Sequence, residues 1–143
     1  MTSDAPRAGI FFWFVAIIAL FWNSSGAMNF FMQMSAENLD NFPSKYQELI
    51  SLRPTWATIA FGFGAITSVF GAIALLMRRA WAFALFVISF LAVLITLAYS
   101  APLQVASGLF SIGELVMTIL LPIAFSTYLV IFSKRYVEAG VLK

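Results

Sequence analysis

The segment FWNSSGAMNFFMQ carries the side chains of this sequence whose types and spacing are best suited to binding a ligand. Three amides and two serines interrupt an apolar run, and a tryptophan precedes the first amide. On a helix that turns about 100° per residue, five positions share one arc of roughly 120°: Trp22, Asn23, Gly26, Asn29 and Gln33. Amides and an indole donate, accept and stack without a buried charge. This face therefore suits a neutral, hydroxyl-rich solute.

Two interpretations of this face remain open. In the first, it lines a pocket whose floor is formed by Trp22 and Asn23. The facing wall is then predicted from polar residues of a later apolar run: Thr96, Tyr99 and Ser100. In the second, the amides form hydrogen bonds between helices, worth roughly 1 kcal/mol each. An unpaired amide at the bilayer centre costs on the order of several kcal/mol, so Asn23 needs a partner either way. Ser24 and Ser25 lie outside the arc and can bond back to their own helix.

The overall composition places the chain in a membrane. It has 143 residues, of which 62% are apolar and 10% charged, and a mean hydropathy of +0.97. A typical soluble domain carries about 25% charged residues. Cysteine and histidine are both absent, which excludes thiol nucleophiles, imidazole bases, His-ligated haem and the usual zinc sites. We therefore expect no enzyme, no metal site and no cofactor.

Four apolar runs are long enough to cross a bilayer as helices, which takes about 20 residues. The predicted spans are 9–32, 55–77, 80–100 and 112–132. The first is interpreted as a retained span, because no small-x-small cleavage pattern follows it. The sequence thus predicts an all-α, integral membrane four-helix bundle that forms one domain, residues 1–143.

The loop between the first two spans, residues 33–54, is predicted to contain a short helix. Ser44 is predicted to cap this helix and Leu52 to end it. Its apolar face is predicted to hold three residues: Tyr46, Leu49 and Ile50. An amphipathic helix of this kind lies on the membrane surface or covers the end of the bundle.

Basic residues set the predicted orientation, because lysine and arginine resist translocation across the membrane. One side of the four predicted spans carries most of them: Arg7, Arg78, Arg79, Lys134, Arg135 and Lys143. The other side carries only Lys45 and Arg53. Both termini are therefore predicted to be cytoplasmic. Since the bases flank spans, they indicate topology rather than a nucleic-acid partner.

Small residues recur along the second span in a pattern typical of close helix packing. Four of them are spaced every four residues and a fifth widens the stripe: Ala60, Gly64, Ser68, Ala72 and Gly71. Small side chains let two backbones approach, so that van der Waals contact holds the helices together inside lipid. We favour packing within the chain. A homodimer seam is the alternative.

The fourth span carries two local signals. SIGE has the form of a capping box, in which Ser111 and Glu114 satisfy free amides at the helix start. Glu114 could alternatively couple transport to protons, but capping explains it without a buried charge. Pro122 removes the hydrogen bond to the carbonyl of Thr118 and predicts a kink, either static or serving as a hinge.

Three segments carry a resemblance to a known family: WNSSGAMNFFMQ, RPTWATIAFGFGAITSVFGAIALLMRRAWAFALFVISF and SKRYVEAGVL. The positions that match are Trp22, Asn23, Gly26, Gln33, Pro54, Trp56, Gly71, Arg78, Arg79 and Trp81. In these the chain resembles a family of small four-span proteins of the bacterial inner membrane. Members are often labelled sugar transporters, so the resemblance implies an inner-membrane location and a sugar-like solute.

Two functions follow as hypotheses. The first is binding or transport of a small neutral polar solute through a pocket at Asn23, by a protein that forms a homo-oligomer. The second is a structural or accessory subunit that packs on a larger membrane complex. In both, the lipid bilayer is the surrounding partner.

Overall fold

The computed structural model describes residues 7–143, and that part of the chain is helical without strands. Its helices are α1 (Ile10–Met34), α2 (Ala36–Leu39), α3 (Ser44–Ser51), α4 (Thr55–Leu76), α5 (Trp81–Ser107) and α6 (Ile112–Glu138). Helices α1, α4, α5 and α6 are long and apolar enough to cross a membrane. The shortest, α4, has 22 residues and is about 33 Å long. The predicted all-α fold with four membrane-length helices is confirmed. The first six residues of the predicted domain lie outside the described part.

The third span is longer than predicted. Helix α5 does not end at Ser100 but continues through Pro102 to Ser107. It ends where Gly108 takes a left-handed φ of 66°, a conformation that glycine adopts without the strain of a Cβ atom. The segment that the sequence assigned to a loop is therefore a further two turns of helix, and it brings another polar residue, Gln104, into the bundle.

The other helix ends differ from prediction by less. Helix α6 continues past residue 132 to Glu138. Ser44 does not cap α3; it is the first helical residue, and Pro43 holds the N-cap position without a side-chain hydrogen bond. The Pro43 carbonyl instead accepts from Tyr46 N–H at 2.8 Å. Proline suits the start of a helix because its φ is already fixed near the helical value.

The two ends of the bundle have different architecture. At the end where α1 begins and α6 ends, here called the terminal end, aromatic rings close the core. Phe12, which has no exposed surface, lies 4.9 Å from the ring of Tyr136 and 6.0 Å from that of Phe132. The opposite end, where α1 ends and α4 begins, is here called the α3 end.

The basic α4–α5 turn and the C-terminal segment lie together at the terminal end. Lys143 N–H donates to the Arg78 carbonyl at 2.9 Å, and Ala80 N–H donates to the Lys143 carbonyl at 2.9 Å. Arg78 Nε also donates to the Val141 carbonyl at 3.1 Å. Two of the basic clusters used for the topology prediction, Arg78 with Arg79 and the C-terminal bases, thus belong to one end of the protein.

The stripe of small residues on α4 is used within the chain. A Cβ atom added at Gly64 would stand 2.7 Å from the Cβ atom of Ala92 on α5. One added at Gly71 would stand 3.0 Å from the ring of Phe86, also on α5. Ser89 Oγ donates to the Gly64 carbonyl at 3.0 Å and joins the same two helices. Of the remaining stripe residues, Ser68 and Ala72 are buried and Ala60 is half-buried.

Candidate functional site

A cavity of about 570 Å³ lies in the half of the bundle nearer the α3 end. Residues of α1, α3, α4, α5 and α6 form its walls. All six residues that the sequence suggests for ligand binding line this one cavity: Trp22, Asn23, Asn29, Gln33, Thr96 and Tyr99. Gly26 and Ser100 also line it, as does Ser25, although Ser25 lies outside the predicted arc. The volume falls within the range of small-molecule sites.

The floor of the cavity holds the deepest polar groups of α1. Asn23 Nδ2 donates to the Ala19 carbonyl of its own helix at 2.8 Å. The side-chain oxygen of Asn23 and the indole N–H of Trp22 form no hydrogen bond with the described part of the chain, and both residues line the cavity. The Trp22 ring contacts Phe125 of α6, with centroids 5.1 Å apart. In the described residues, Asn23 thus makes no hydrogen bond to another helix and leaves its acceptor facing the cavity.

The facing wall of α5 combines locally satisfied and free polar groups. Thr96 Oγ1 donates to the Ala92 carbonyl of its own helix at 2.8 Å. Tyr99 Oη donates to the Leu49 carbonyl of α3 at 3.1 Å and so ties the covering helix to the wall. The side chain of Ser100 makes no hydrogen bond with the residues that the structure describes. Its hydroxyl is available to a ligand in the cavity.

Helix α3 covers the cavity at its α3 end. Its apolar face, Tyr46, Leu49 and Ile50, lines the cavity, as the helical pattern of the loop indicates. Lys45 anchors the helix to the start of α6 through an ion pair with Glu114 of 2.7 Å. Tyr46 Oη also donates to Glu114 at 3.3 Å, and burial together with the negative charge of Glu114 raises the pKa of Tyr46.

The start of α6 contains the capping box that SIGE predicts. Ser111 Oγ accepts from the Glu114 N–H at 3.3 Å, and Ser111 N–H donates to the Glu114 carboxylate at 2.8 Å. Glu114 does not line the cavity. Its contacts with Ser111 and Lys45 give it a role in closing the α3 end rather than in a membrane-buried proton path.

The backbone just before Pro122 has an irregularity that the sequence did not predict. The hydroxyls of Ser126 and Thr127 do not bind the Thr118 carbonyl; they donate to the carbonyls of Pro122 and Ile123. Instead, residues 116–120 form a π-helical segment, in which the N–H of Leu121 donates to the Val116 carbonyl five residues earlier. Such widened turns recur at functional sites. Pro122 lines the cavity just after this segment.

Two residues that line the cavity, Gln104 and Arg53, were not predicted as ligand-facing groups. Gln104 is only 4% exposed and shares a 2.7 Å hydrogen bond with Thr118 across α5 and α6. Because the predicted span ends at Ser100, Gln104 falls in the predicted loop; Gly108, where the helix ends, is the better end signal. Arg53 was counted only for topology, although it lines the cavity. Nothing in its spacing indicated that it turns inward.

Arg53 is the charged group of the cavity wall. It is half-buried, and burial lowers its pKa. Its Nη1 donates to Gln33 Oε1 at 2.8 Å and its Nε donates to Thr58 Oγ1 at 3.2 Å. The guanidinium also lies 5.3 Å from the centre of the Phe61 ring. These contacts join the end of α1 to the start of α4 and hold the cation at the cavity.

One side of the cavity reaches the surface of the bundle between α1 and α6. Trp22 and Phe125 make the contact between these helices that lies nearest the α3 end; beyond it, no hydrogen bond or ring contact joins them in the described residues. Asn29 on one side of this gap and Met117 on the other are both exposed and both line the cavity. This arrangement gives a lateral opening below the covering helix α3.

The site has the chemistry of a binding cavity. It offers amides, hydroxyls, an indole and one guanidinium on a largely apolar lining, and no Asp or Glu is among the lining residues. Within residues 7–143 no group of three potential metal ligands occurs.

Comparisons with protein-family models, with curated proteins and with solved structures find no match to this chain.

Proposed function

We propose that this protein is a non-enzymatic integral membrane protein that binds a small, hydroxyl-rich polar solute in the cavity and serves in its transport. The observation that carries the proposal is the convergence of the amide face of α1 and the polar wall of α5 on one cavity of about 570 Å³. Free amide and hydroxyl groups on apolar walls suit sugar-like compounds, because they exchange hydrogen bonds with hydroxyls without burying a further charge.

The orientation and location belong to the same proposal. We assign the terminal end to the cytoplasm because it carries most of the basic residues, including Arg78, Arg79, Lys134 and Arg135. The cavity then belongs to the outer half of the membrane. The resemblance described above supports the bacterial inner membrane as its location.

Binding measured on the purified protein tests this proposal. We expect glucose, sorbitol or gluconate to bind saturably, as followed by calorimetry, and Asn23→Leu to weaken that binding about threefold to tenfold. This is the effect of losing one hydrogen bond of about 0.5–1.5 kcal/mol. Uptake of the same compound into proteoliposomes should fall in the same variant.

The matched control is Ser24→Leu. Ser24 adjoins Asn23 in the chain but is exposed and does not line the cavity, so the same added side chain should leave binding unchanged. Equal binding by Asn23→Leu and wild type, or no saturable binding of any of the three compounds, would contradict the proposal.

A further inference from the structure

The guanidinium of Arg53 has more hydrogen-bonding capacity than the protein uses. Arginine carries five N–H donors. Two of them bind Gln33 and Thr58, and both acceptors are neutral. The other three form no hydrogen bond with the described part of the chain. Since Arg53 lines the cavity, its unused donors are available to a ligand there.

Within residues 7–143, Arg53 has no carboxylate partner. The two ion pairs in this part of the chain are Lys45 with Glu114 and Lys134 with Glu138. Glu114, the acid at the start of α6, is thus already paired with Lys45. A half-buried cation without a counter-charge is costly, and an anion that approaches it is correspondingly favoured.

The groups around Arg53 also favour an acceptor-rich ligand. Gln33 gives its side-chain oxygen to Arg53, so its amide N–H groups remain without a partner in the described residues. Asn29 lies one helical turn earlier on the same face and lines the cavity, and its side-chain amide makes no hydrogen bond in that part of the chain. A fork of guanidinium donors with two amides beside it matches carboxylate or phosphate oxygens.

We propose that the ligand of this cavity carries an anionic group, a carboxylate or a phosphate, which Arg53 binds while Asn29 and Gln33 contact it or the adjoining hydroxyls. This inference rests on the proposed function and changes one part of it, because the sequence predicts a neutral solute. The polar floor at Asn23 then takes the hydroxylated body of the ligand.

The ligand has two possible sources with this chemistry. A soluble hydroxy acid or sugar phosphate would enter from water past α3. A lipid with a hydroxylated phosphate headgroup, such as phosphatidylglycerol, would enter from the bilayer through the opening between α1 and α6. The apolar lining at Phe125 and Leu129 suits an acyl chain near the headgroup.

Paired ligands that differ in charge test the inference. Binding of gluconate is compared with that of sorbitol, and glucose 6-phosphate with glucose, by calorimetry on the wild type. Binding of phosphatidylglycerol is compared with that of phosphatidylcholine by native mass spectrometry. Each pair is repeated on Arg53→Gln, on Arg53→Lys, and on Arg79→Gln, which removes an exposed arginine at the terminal end.

We expect the anionic member of at least one pair to bind about 10-fold to 100-fold more tightly, as a charge-assisted hydrogen bond implies. Arg53→Gln should abolish the preference, Arg53→Lys should retain part of it, and Arg79→Gln should leave it intact. A preference in the soluble pairs identifies a free acid, and one in the lipid pair identifies a headgroup.

The inference and the proposed function can be refuted separately. If charged and neutral members bind equally, or if Arg53→Gln keeps the preference, the inference is overturned. The proposed function still stands in that case provided that Asn23→Leu weakens binding of sorbitol or glucose. Circular dichroism of Arg53→Gln, compared with that of Arg53→Lys, which keeps the charge, distinguishes a lost ligand contact from a lost fold.

Discussion

Replacing Gly64 with alanine should weaken the packing of α4 on α5. The added Cβ atom would stand 2.7 Å from the Cβ atom of Ala92, whereas carbon atoms in favourable contact are about 3.5–4.0 Å apart. The helices must therefore separate locally by about 1 Å. That movement would also lengthen the hydrogen bond from Ser89 to the Gly64 carbonyl, now 3.0 Å.

The net effect is a difference between two terms. Overpacking a close interface costs about 1–3 kcal/mol. Alanine in a helix interior is favoured over glycine by about 1 kcal/mol. We therefore expect Gly64→Ala to lower the free energy of unfolding by about 1 kcal/mol.

Gly26→Ala is the matched control, because a Cβ atom there meets nothing within 4 Å. Gly26→Ala should therefore gain only the higher helix propensity of alanine, about 1 kcal/mol. The free energies of unfolding of the two alanine variants should then differ by about 2 kcal/mol. For a chain of 143 residues this corresponds to a difference of roughly 4–8 °C in Tm.

The assay is reversible unfolding in mixed micelles with increasing dodecyl sulfate, followed by circular dichroism. Ala92→Gly in the Gly64→Ala background removes the opposing Cβ atom and should restore most of the lost free energy of unfolding. A double-mutant cycle then gives the coupling energy between positions 64 and 92. If Gly64→Ala were as stable as Gly26→Ala, the close approach of α4 and α5 at Gly64 would be refuted.

The remaining predictions concern the links that hold the cavity together. Gln104→Leu should lower the free energy of unfolding by about 0.6 kcal/mol in the same titration, because it removes the bond between α5 and α6 at Thr118; an unchanged value would mean that this bond does not contribute. Lys45→Met should speed hydrogen exchange of the α3 amides by breaking the ion pair with Glu114. Lys134→Met removes an exposed pair of 3.9 Å and should leave α3 unchanged; equal exchange in both variants would show that Lys45 does not anchor α3.

The spans were predictable because their physical cause is local. A run of apolar residues long enough to cross a bilayer must form a helix, since lipid offers no partner for its N–H and C=O groups. The amide face of α1 was predictable for a related reason, because helical periodicity alone puts Trp22, Asn23 and Gln33 on one side. That these residues meet Thr96 and Tyr99 in one cavity depends on how α1, α4 and α5 pack.

The parts that the sequence did not predict arise from competing local signals and from tertiary contacts. Pro102 competes with helix continuation, and packing of Gln104 against Thr118 favours the longer helix. The π-helical segment before Pro122 depends on backbone hydrogen bonds that residue types do not specify. Arg53 turns inward because Gln33 and Thr58 accept from it. Each of these outcomes requires a neighbour that is distant in sequence or a choice between two backbone geometries.

The small-residue stripe bears on the accessory-subunit hypothesis. Gly64 and Gly71 lie against Ala92 and Phe86 of the same chain, so this part of α4 is already covered. A larger complex or a homo-oligomer would need another surface, such as the exposed apolar face of α1 that carries Phe14 and Phe21. Both assemblies stay predictions of the sequence.

The accessibility of position 23 to a water-soluble reagent measures directly whether the cavity is open to solutes from outside. The chain has no cysteine, so Asn23→Cys and Ser24→Cys each introduce a single thiol at the same depth in α1. A charged, membrane-impermeant methanethiosulfonate reagent is added to the outside of intact cells. We expect Asn23→Cys to be labelled and Ser24→Cys, whose position does not line the cavity, to remain unlabelled. Equal labelling of the two thiols, or no labelling of Asn23→Cys, would contradict a polar cavity open to solutes from outside.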